Sequence, residues 1–221
     1  MEIISRDELK AGDHIYSWRK AKIYSHHGIY IGDEKVIHYT GGVVKKTGTR
    51  TLLDNFTSHS VMNQKTCPKC GDQLKIDGVI SSCLDCFLAG RKMYLFQYKV
   101  SPSVFIGQSR PGTCTTAPSD PCDEVIYRAK FLLLHNGFGA YHALENNCED
   151  FAKYCKTSLL VGKHDVHGRG GQATSLSVVG FVSHVFMPKV SKAVHLAADI
   201  GVREDAEKVS VEDLVARSKE A

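Results

Sequence analysis

The sequence predicts an α+β fold in which helices pack against an antiparallel sheet. Short β-rich runs, separated by clusters of Gly, Asp and Thr, fill the first 60 residues and are typical of an antiparallel meander. After residue 120 the apolar positions recur at helical spacing instead. With 221 residues, 43% hydrophobic and 24% charged, the chain can bury one sizeable core.

The elements follow from local patterns along the chain. Strands are predicted at 14–18, 28–31, 35–39, 43–44, 49–53 and 92–100, with a hairpin turn at 32–34. A Pro-, Gly- and Ser-rich connection follows at 101–119. Helices are predicted from about 121 to 135, with Asp120 as the cap, and from Asn147 onward.

We expect four parts along the chain. A main domain covers 5–160 and includes a small zinc-ribbon-like insert at 66–90, where four cysteines replace the aliphatic pattern. A Gly- and His-containing linker follows at 161–172. The apolar segment 173–200 either lies in a membrane interface or packs on the domain as a helix, and 201–221 is a charged tail.

Charge and hydropathy exclude several functions. A net charge of +4 is too small to predict nucleic-acid binding. The amino-terminal residues lack the basic and apolar regions of a signal peptide, and no apolar run is long enough for a transmembrane helix. We therefore expect a reducing, cytoplasmic location with peripheral contact to membranes.

The cysteine-rich segment predicts a metal site. Cys67 and Cys70 form one Cys-x-x-Cys pair, and Cys83 and Cys86 form a second after a short spacer. This spacing suits four thiolates around one structural zinc ion, although cadmium, lead or copper(I) would also bind there. Disulfides and a redox-active pair are the alternatives, and a reducing compartment opposes the first.

Cys148 is the candidate nucleophile because it lies at the start of the second helix. Unpaired N–H groups and the helix dipole there favour the thiolate, which attacks carbonyl carbon. The alternative is a small buried cysteine, the commoner role of this residue.

A nucleophilic cysteine needs an imidazole base and a group that orients it, and the hairpin offers His26, His27 and His38. A two-residue turn would put His27 on the same face as His38, whereas a longer loop or a bulge would put His26 there. Hydrophobic periodicity does not decide between these two hairpin registers.

Three segments together resemble the lecithin retinol acyltransferase (LRAT) family, which has a permuted papain-like fold. They are HHGIYIGD at 26–33, VIH at 36–38 and NCEDF at 147–151. The layout with its four-cysteine insert is similar to the plant members. Asp150 stands where the family usually has His, and His27 where an aromatic residue is common.

The resemblance implies that Cys148 is the nucleophile, His26 the general base and His38 the residue that orients the base. It also implies a longer turn or a bulge in the hairpin. The implied activity is that of an acyl-lipid hydrolase or acyltransferase that forms a thioester from a glycerophospholipid at a membrane surface and needs no catalytic cofactor. The alternative is a non-catalytic scaffold or a soft-metal-binding regulator that uses the four-cysteine insert.

Overall fold

The computed structural model describes residues 2–19, 24–41, 67–71, 73, 76–108, 112–142, 146–161 and 194–220. Within these residues a six-stranded antiparallel sheet has the order β1-β6-β2-β3-β4-β5. Its strands are β1 (Glu2–Ile3), β2 (His14–Arg19), β3 (Tyr24–Tyr30), β4 (Lys35–Thr40), β5 (Gly78–Cys83) and β6 (Tyr94–Leu95). A second ladder joins β7 (Leu159–Val161) to β8 (Ala206–Lys208). The predicted α+β class is confirmed.

The helices that lie wholly within the described residues are α1 (Leu84–Leu88), α2 (Pro102–Gly107), α3 (Cys122–His135), α4 (Cys148–Thr157) and α5 (Val211–Glu220), and the same residues include a 3₁₀ turn at Arg6–Glu8. The α3 prediction is nearly right, but Pro121 is the cap because Asp120 instead accepts a hydrogen bond from Arg128. Helix α2 lies inside the connection predicted at 101–119, where Ser101 caps it and Pro102 opens it.

The two faces of the sheet have different covers. On one face α4 contributes Phe151 and Ala152 to a buried cluster that includes Ile29 and Ile37. On the other face α1 contributes Leu84, Phe87 and Leu88 to a cluster with Ile15 and Val36. Residues of opposite parity on β3 and β4 therefore meet different helices.

The β3–β4 hairpin has a three-residue loop. The Ile31 N–H donates to the Lys35 carbonyl at 3.0 Å, so Gly32, Asp33 and Glu34 form the loop, all with positive φ (91°, 49° and 56°). The family resemblance implied either a longer turn or a bulge, and the structure has the longer turn. It pairs Gly28 with His38, which brings His26 and His38 to the same face of the sheet.

The two strands separate beyond that pair. In the described residues the β3–β4 ladder ends at Gly28↔His38, and from there to Tyr24 the partner of β3 is β2. Strand β4 continues to Thr40 paired with β5. A gap therefore opens between β3 and β4 at this end of the sheet.

The other predicted segments agree with the structure to different extents, and some of them lie outside the described residues. The strands predicted at 43–44 and 49–53, the linker at 161–172 and most of the apolar segment 173–200 lie outside the described residues. The predicted strand 92–100 contains only the two-residue β6. The charged tail contains β8 and α5, and α5 packs on α3 through Val211 and Val215. Among the described helices, every one is too short or too polar to cross a membrane.

Candidate active site

Cys148 is the first residue of α4, at the end of the helix where its dipole is positive. Asn147 caps this helix, and its side-chain oxygen accepts hydrogen bonds from the N–H groups of Glu149 at 2.8 Å and Asp150 at 3.4 Å. The Asp150 carboxylate accepts in return from the Asn147 N–H at 3.1 Å, which completes a capping box. The cap holds Cys148 in a fixed orientation.

The start of α4 meets β3 where the two strands separate. The Cys148 thiol lies 3.7 Å from the carbonyl oxygen of Ser25, the residue before His26. Only 2% of Cys148 is exposed. The gap between β3 and β4 thus brings a helix start to within one residue of the predicted base.

His26 and His38 form a hydrogen-bonded pair. The Nε2 atom of His26 lies 2.9 Å from Nδ1 of His38, and the rings meet edge to face. Desolvation lowers the pKa of both imidazoles, and for His38 the value falls to about 3. Both rings are therefore neutral at neutral pH, which is the form a general base requires.

Gly28 makes room for this pair. A Cβ atom at this position would lie 2.7 Å from Val36, 2.9 Å from Phe87 and 3.1 Å from His38. The Phe87 ring of α1 packs against both histidines, at 5.2 Å from His26 and 5.4 Å from His38. Any larger residue at position 28 would push α1 or His38 away.

His27 belongs to a different network on the opposite face. Its Nδ1 lies 2.9 Å from Nε2 of His14, and its Nε2 lies 2.8 Å from the Ser25 hydroxyl. His27 is fully buried, and desolvation lowers its pKa to about 4. The structure thus places His26, and not His27, beside His38.

Arg19 is a buried cation near the site that sequence reasoning missed. Its guanidinium donates to the carbonyl oxygens of Phe87 and Leu88 and to the Ser17 hydroxyl. Its charge contributes to the low pKa of His26 and interacts favourably with the thiolate form of Cys148. Burial lowers the pKa of Arg19 itself only to about 10, so the group stays charged at neutral pH.

Two polar residues of the cysteine-rich segment also reach the site, and sequence reasoning missed both. The Ser82 hydroxyl lies 2.7 Å from Nε2 of His38, and Gln73 is hydrogen-bonded to Ser82 in turn. Ser82 directly precedes Cys83. A serine in a strand has no pattern that distinguishes it from a surface residue, so only the fold reveals this contact.

The four cysteines of the insert come together. All four sulfur atoms lie within 4.8 Å of one another, with separations of 3.8 Å (Cys67–Cys83), 3.9 Å (Cys70–Cys83) and 3.4 Å (Cys70–Cys86). A disulfide needs about 2.05 Å between sulfur atoms, so these are free thiols. The spacing matches the about 3.8 Å between sulfur atoms in a tetrahedron with metal–sulfur bonds of about 2.3 Å.

The local backbone favours the thiolate form of Cys67, whereas burial raises the pKa of the Cys70 and Cys86 thiols. N–H groups of Lys69 and Cys70 donate to the Cys67 sulfur and lower the pKa of that thiol to about 6. Gly71, with φ of +69°, turns the chain back, and its N–H donates to the Cys67 carbonyl at 2.8 Å. The close spacing of the four sulfur atoms is compatible with a metal site.

The second cysteine pair is also part of the main sheet. Cys83 is the last residue of β5, which pairs along its whole length with β4, and Cys86 lies in α1. The insert thus continues directly into the elements that hold His38 and cover Gly28.

Comparison with known proteins agrees with this arrangement. Residues 7–161 match the family model for lecithin retinol acyltransferase. The chain belongs to the LRAT family. It is also 45% identical over 232 aligned positions to the Arabidopsis thaliana protein named Protein LEAD-SENSITIVE 1, with 97% of this chain and 89% of that protein covered. The predicted family and fold are confirmed, whereas the roles of Cys148, His26 and His38 within this LRAT domain stay a prediction.

Proposed function

We propose that the protein is a thiol-dependent acyl-lipid hydrolase or acyltransferase whose nucleophile is Cys148. The observation that carries the proposal is the capped helix start whose Cys148 thiol contacts the backbone of Ser25, the residue next to His26 of the neutral histidine pair. Cysteine, base and orienting residue are the three parts that nucleophilic catalysis requires.

In the first step His26 accepts the thiol proton. Its Nε2 is engaged with His38, so Nδ1 is the nitrogen that takes this proton. The Cys148 thiolate attacks the carbonyl carbon of a glycerophospholipid ester, and the positive end of α4 and the Arg19 charge stabilise the oxyanion. The ester C–O bond then breaks, the alkoxide oxygen takes the proton from His26, and a lysolipid leaves.

In the second step the acyl group leaves Cys148. Water, an amine or an alcohol attacks the thioester carbonyl while His26 removes its proton. The C–S bond breaks, the proton passes to sulfur, and the thiol is restored. The acceptor decides whether the protein acts as a hydrolase or as an acyltransferase. Because the acyl donors are bilayer lipids, we place the reaction at a membrane surface.

Mass spectrometry of the intact protein tests this proposal. After incubation with glycerophospholipid vesicles, the wild-type chain should gain the mass of one acyl group, located on Cys148. Cys148→Ala and His26→Ala should abolish the adduct, whereas Cys155→Ala should retain it, because Cys155 is a core residue two turns along the same helix. A folded, metal-loaded protein that forms no adduct would contradict the proposal.

A second candidate function is binding of soft metal ions without turnover. The four clustered thiols support it, and so does the name of the Arabidopsis relative, Protein LEAD-SENSITIVE 1.

We assign a structural zinc ion to the cluster, bound by Cys67, Cys70, Cys83 and Cys86. A closed four-sulfur site has no open position for substrate, so the ion would hold the insert in place.

Metal analysis tests this assignment. The purified chain should contain one zinc ion, and Cys83→Ser should lose it, whereas Cys122→Ser should not, because Cys122 is exposed and lies outside the cluster. Tight exchange of zinc for lead or cadmium, together with absence of the acyl adduct, would favour the metal-binding function. Four readily alkylated thiols in a metal-free protein would contradict both metal assignments.

A further inference from the structure

We propose that Gln73, which the four-cysteine module holds in place, acts through Ser82 to fix the tautomers of His38 and His26, so that Nδ1 of His26 is the proton acceptor for Cys148. Gln73 and Ser82 are thus positioning residues of the site, and the metal-bound state of the module sets the reactivity of the thiol. This inference rests on the proposed function, because it concerns the same base and nucleophile.

The orientation of the Gln73 amide is fixed by the backbone. Its Nε2 donates to the carbonyl oxygen of Ser81 at 2.5 Å. A carbonyl oxygen only accepts hydrogen bonds, so the amide nitrogen must face Ser81. The amide oxygen of Gln73 therefore faces the Ser82 hydroxyl, which donates to it.

That single donation determines the direction of the hydrogen bonds that follow. A serine hydroxyl has one proton, so Ser82 can only accept from Nε2 of His38, 2.7 Å away. A neutral His38 with its proton on Nε2 has a lone pair on Nδ1, which accepts from Nε2 of His26 at 2.9 Å. A neutral His26 with its proton on Nε2 has its own lone pair on Nδ1, the nitrogen that the proposed acyl transfer requires.

Gln73 depends on the module for its place. It lies between the two Cys-x-x-Cys pairs, two residues after the Gly71 turn and close to the residues that precede Cys83. The sulfur of Cys83 lies 3.8 Å from that of Cys67 and 3.9 Å from that of Cys70. A metal ion on these thiols would join the Gln73 segment to the end of β5. Without the ion, Ser82 would be free to donate to Nε2 of His38. The proton of His38 would then lie on Nδ1 instead of Nε2.

Nitrogen-15 spectra of histidine-labelled protein test the inference without any substrate. In the metal-loaded wild type, His26 and His38 should both carry their proton on Nε2, and in Gln73→Ala the Nδ1-protonated form should appear. Ser82→Ala should do the same, whereas Ser82→Thr, which keeps the hydroxyl, should retain the wild-type tautomers. Unchanged tautomers in both Gln73→Ala and Ser82→Ala would overturn the inference.

The rate of Cys148 alkylation by iodoacetamide at pH 7 gives a second readout. Gln73→Ala should lower it about 5-fold, the change that one net hydrogen bond supports. The matched control is Gln97→Ala, whose side chain bonds to Glu2 at the sheet edge; this variant should react like the wild type. Zinc content measured alongside confirms that each variant is loaded.

Metal removal tests whether the four-cysteine module acts on the histidines through Gln73. The chelated wild type should match metal-loaded Gln73→Ala in tautomers and alkylation rate, and chelation of Gln73→Ala should have little further effect. Additive effects of chelation and Gln73→Ala would overturn the link to the metal. If lipid incubation yields no adduct while these tautomer changes occur, the proposed function fails and the positioning network stands; if the adduct forms equally in Gln73→Ala, only the network fails.

Discussion

The adjacent histidines at 26 and 27 face opposite sides of the sheet and join separate networks. His26 pairs with His38 under α1, whereas His27 bonds to His14 and Ser25 under α4. The burial of so many imidazoles ties stability to pH, because each must stay neutral in the folded protein and is free to charge in the unfolded chain.

Lowering the pH should therefore destabilise the protein. The folded-state pKa is about 4 for His27 and about 3 for His38, both below the ordinary value of 6.5. Between the folded-state pKa values and pH 6.5 the unfolded state binds more protons than the folded state. The free energy of unfolding is therefore highest above about pH 6.5 and falls as the pH drops from 6.5 toward the folded-state pKa values. Each histidine should contribute a loss of about 2 kcal/mol between pH 7 and 5, measurable by urea unfolding.

His27→Gln should reduce this loss of stability by about 2 kcal/mol, the share of His27, since glutamine does not titrate. Gln97→Ala provides the control, because it removes no titratable side chain and should leave the pH dependence unchanged. A free energy of unfolding that stays constant from pH 7 to 5 in the wild type would contradict the prediction.

The residue patterns predicted the residue types of the site but not which of the two adjacent histidines pairs with His38. That choice depends on the loop at Gly32, Asp33 and Glu34, where two non-glycine residues adopt positive φ. Such conformations cost little at Asp but are uncommon at Glu, so hydrophobic periodicity does not foresee them. Ser82 and Gln73 were missed for a related reason, because only the pairing of β5 with β4 brings them to His38.

At the scale of elements, the start of α4 explains a departure from the family pattern. Asp150, which replaces the usual histidine, forms the capping box with Asn147. A carboxylate in the first turn also suits the helix dipole. The substitution thus contributes to the helix end that presents Cys148.

Replacement of the cap should affect both stability and reactivity. Asn147→Ala should lower the free energy of unfolding by about 1 kcal/mol, because two N–H groups lose their acceptor. It should also slow Cys148 alkylation, since the helix start that orients the thiol loosens. Urea unfolding and iodoacetamide kinetics measure the two effects.

Asn147→Ser is the matched control, since serine is an equally good cap and should retain most of the stability. Equal losses in the alanine and serine variants would show that the effect comes from some other role of Asn147.

Strong local patterns predicted the elements best. The predicted and observed bounds of β2, β4 and α3 agree within one or two residues. The strand predicted at 92–100 shortens to β6 because Gln97 exchanges backbone hydrogen bonds with Thr113 and Thr115 instead of continuing a regular ladder. β5 was missed because its polar and cysteine-containing sequence lacks an apolar run.

For the molecule as a whole, the four-cysteine cluster connects the insert to the edge of the sheet. Cys83 ends β5, and the helix α1 that follows contributes Phe87 and Leu88 to the core. Loss of a bound metal should therefore loosen α1 as well as the insert.

Metal removal should lower the thermal midpoint by about 5–10 °C, which corresponds to about 2–3 kcal/mol for a chain of this length. The Cys83→Ser variant should show the same decrease without chelator, and Cys122→Ser should show none. Calorimetry with and without a chelator measures these shifts. An unchanged midpoint on complete zinc removal would contradict a structural role for the ion.

The gap between β3 and β4 also has a consequence for how the protein folds. Ser25 and Cys148 meet across 123 positions of the chain, so their contact closes a very long loop. Contacts of this kind form late, after the local hairpins and helices. Cys148 should therefore have the reactivity of an ordinary thiol during most of refolding and become activated only at the last tertiary step. The rate of its alkylation should thus report when folding is complete.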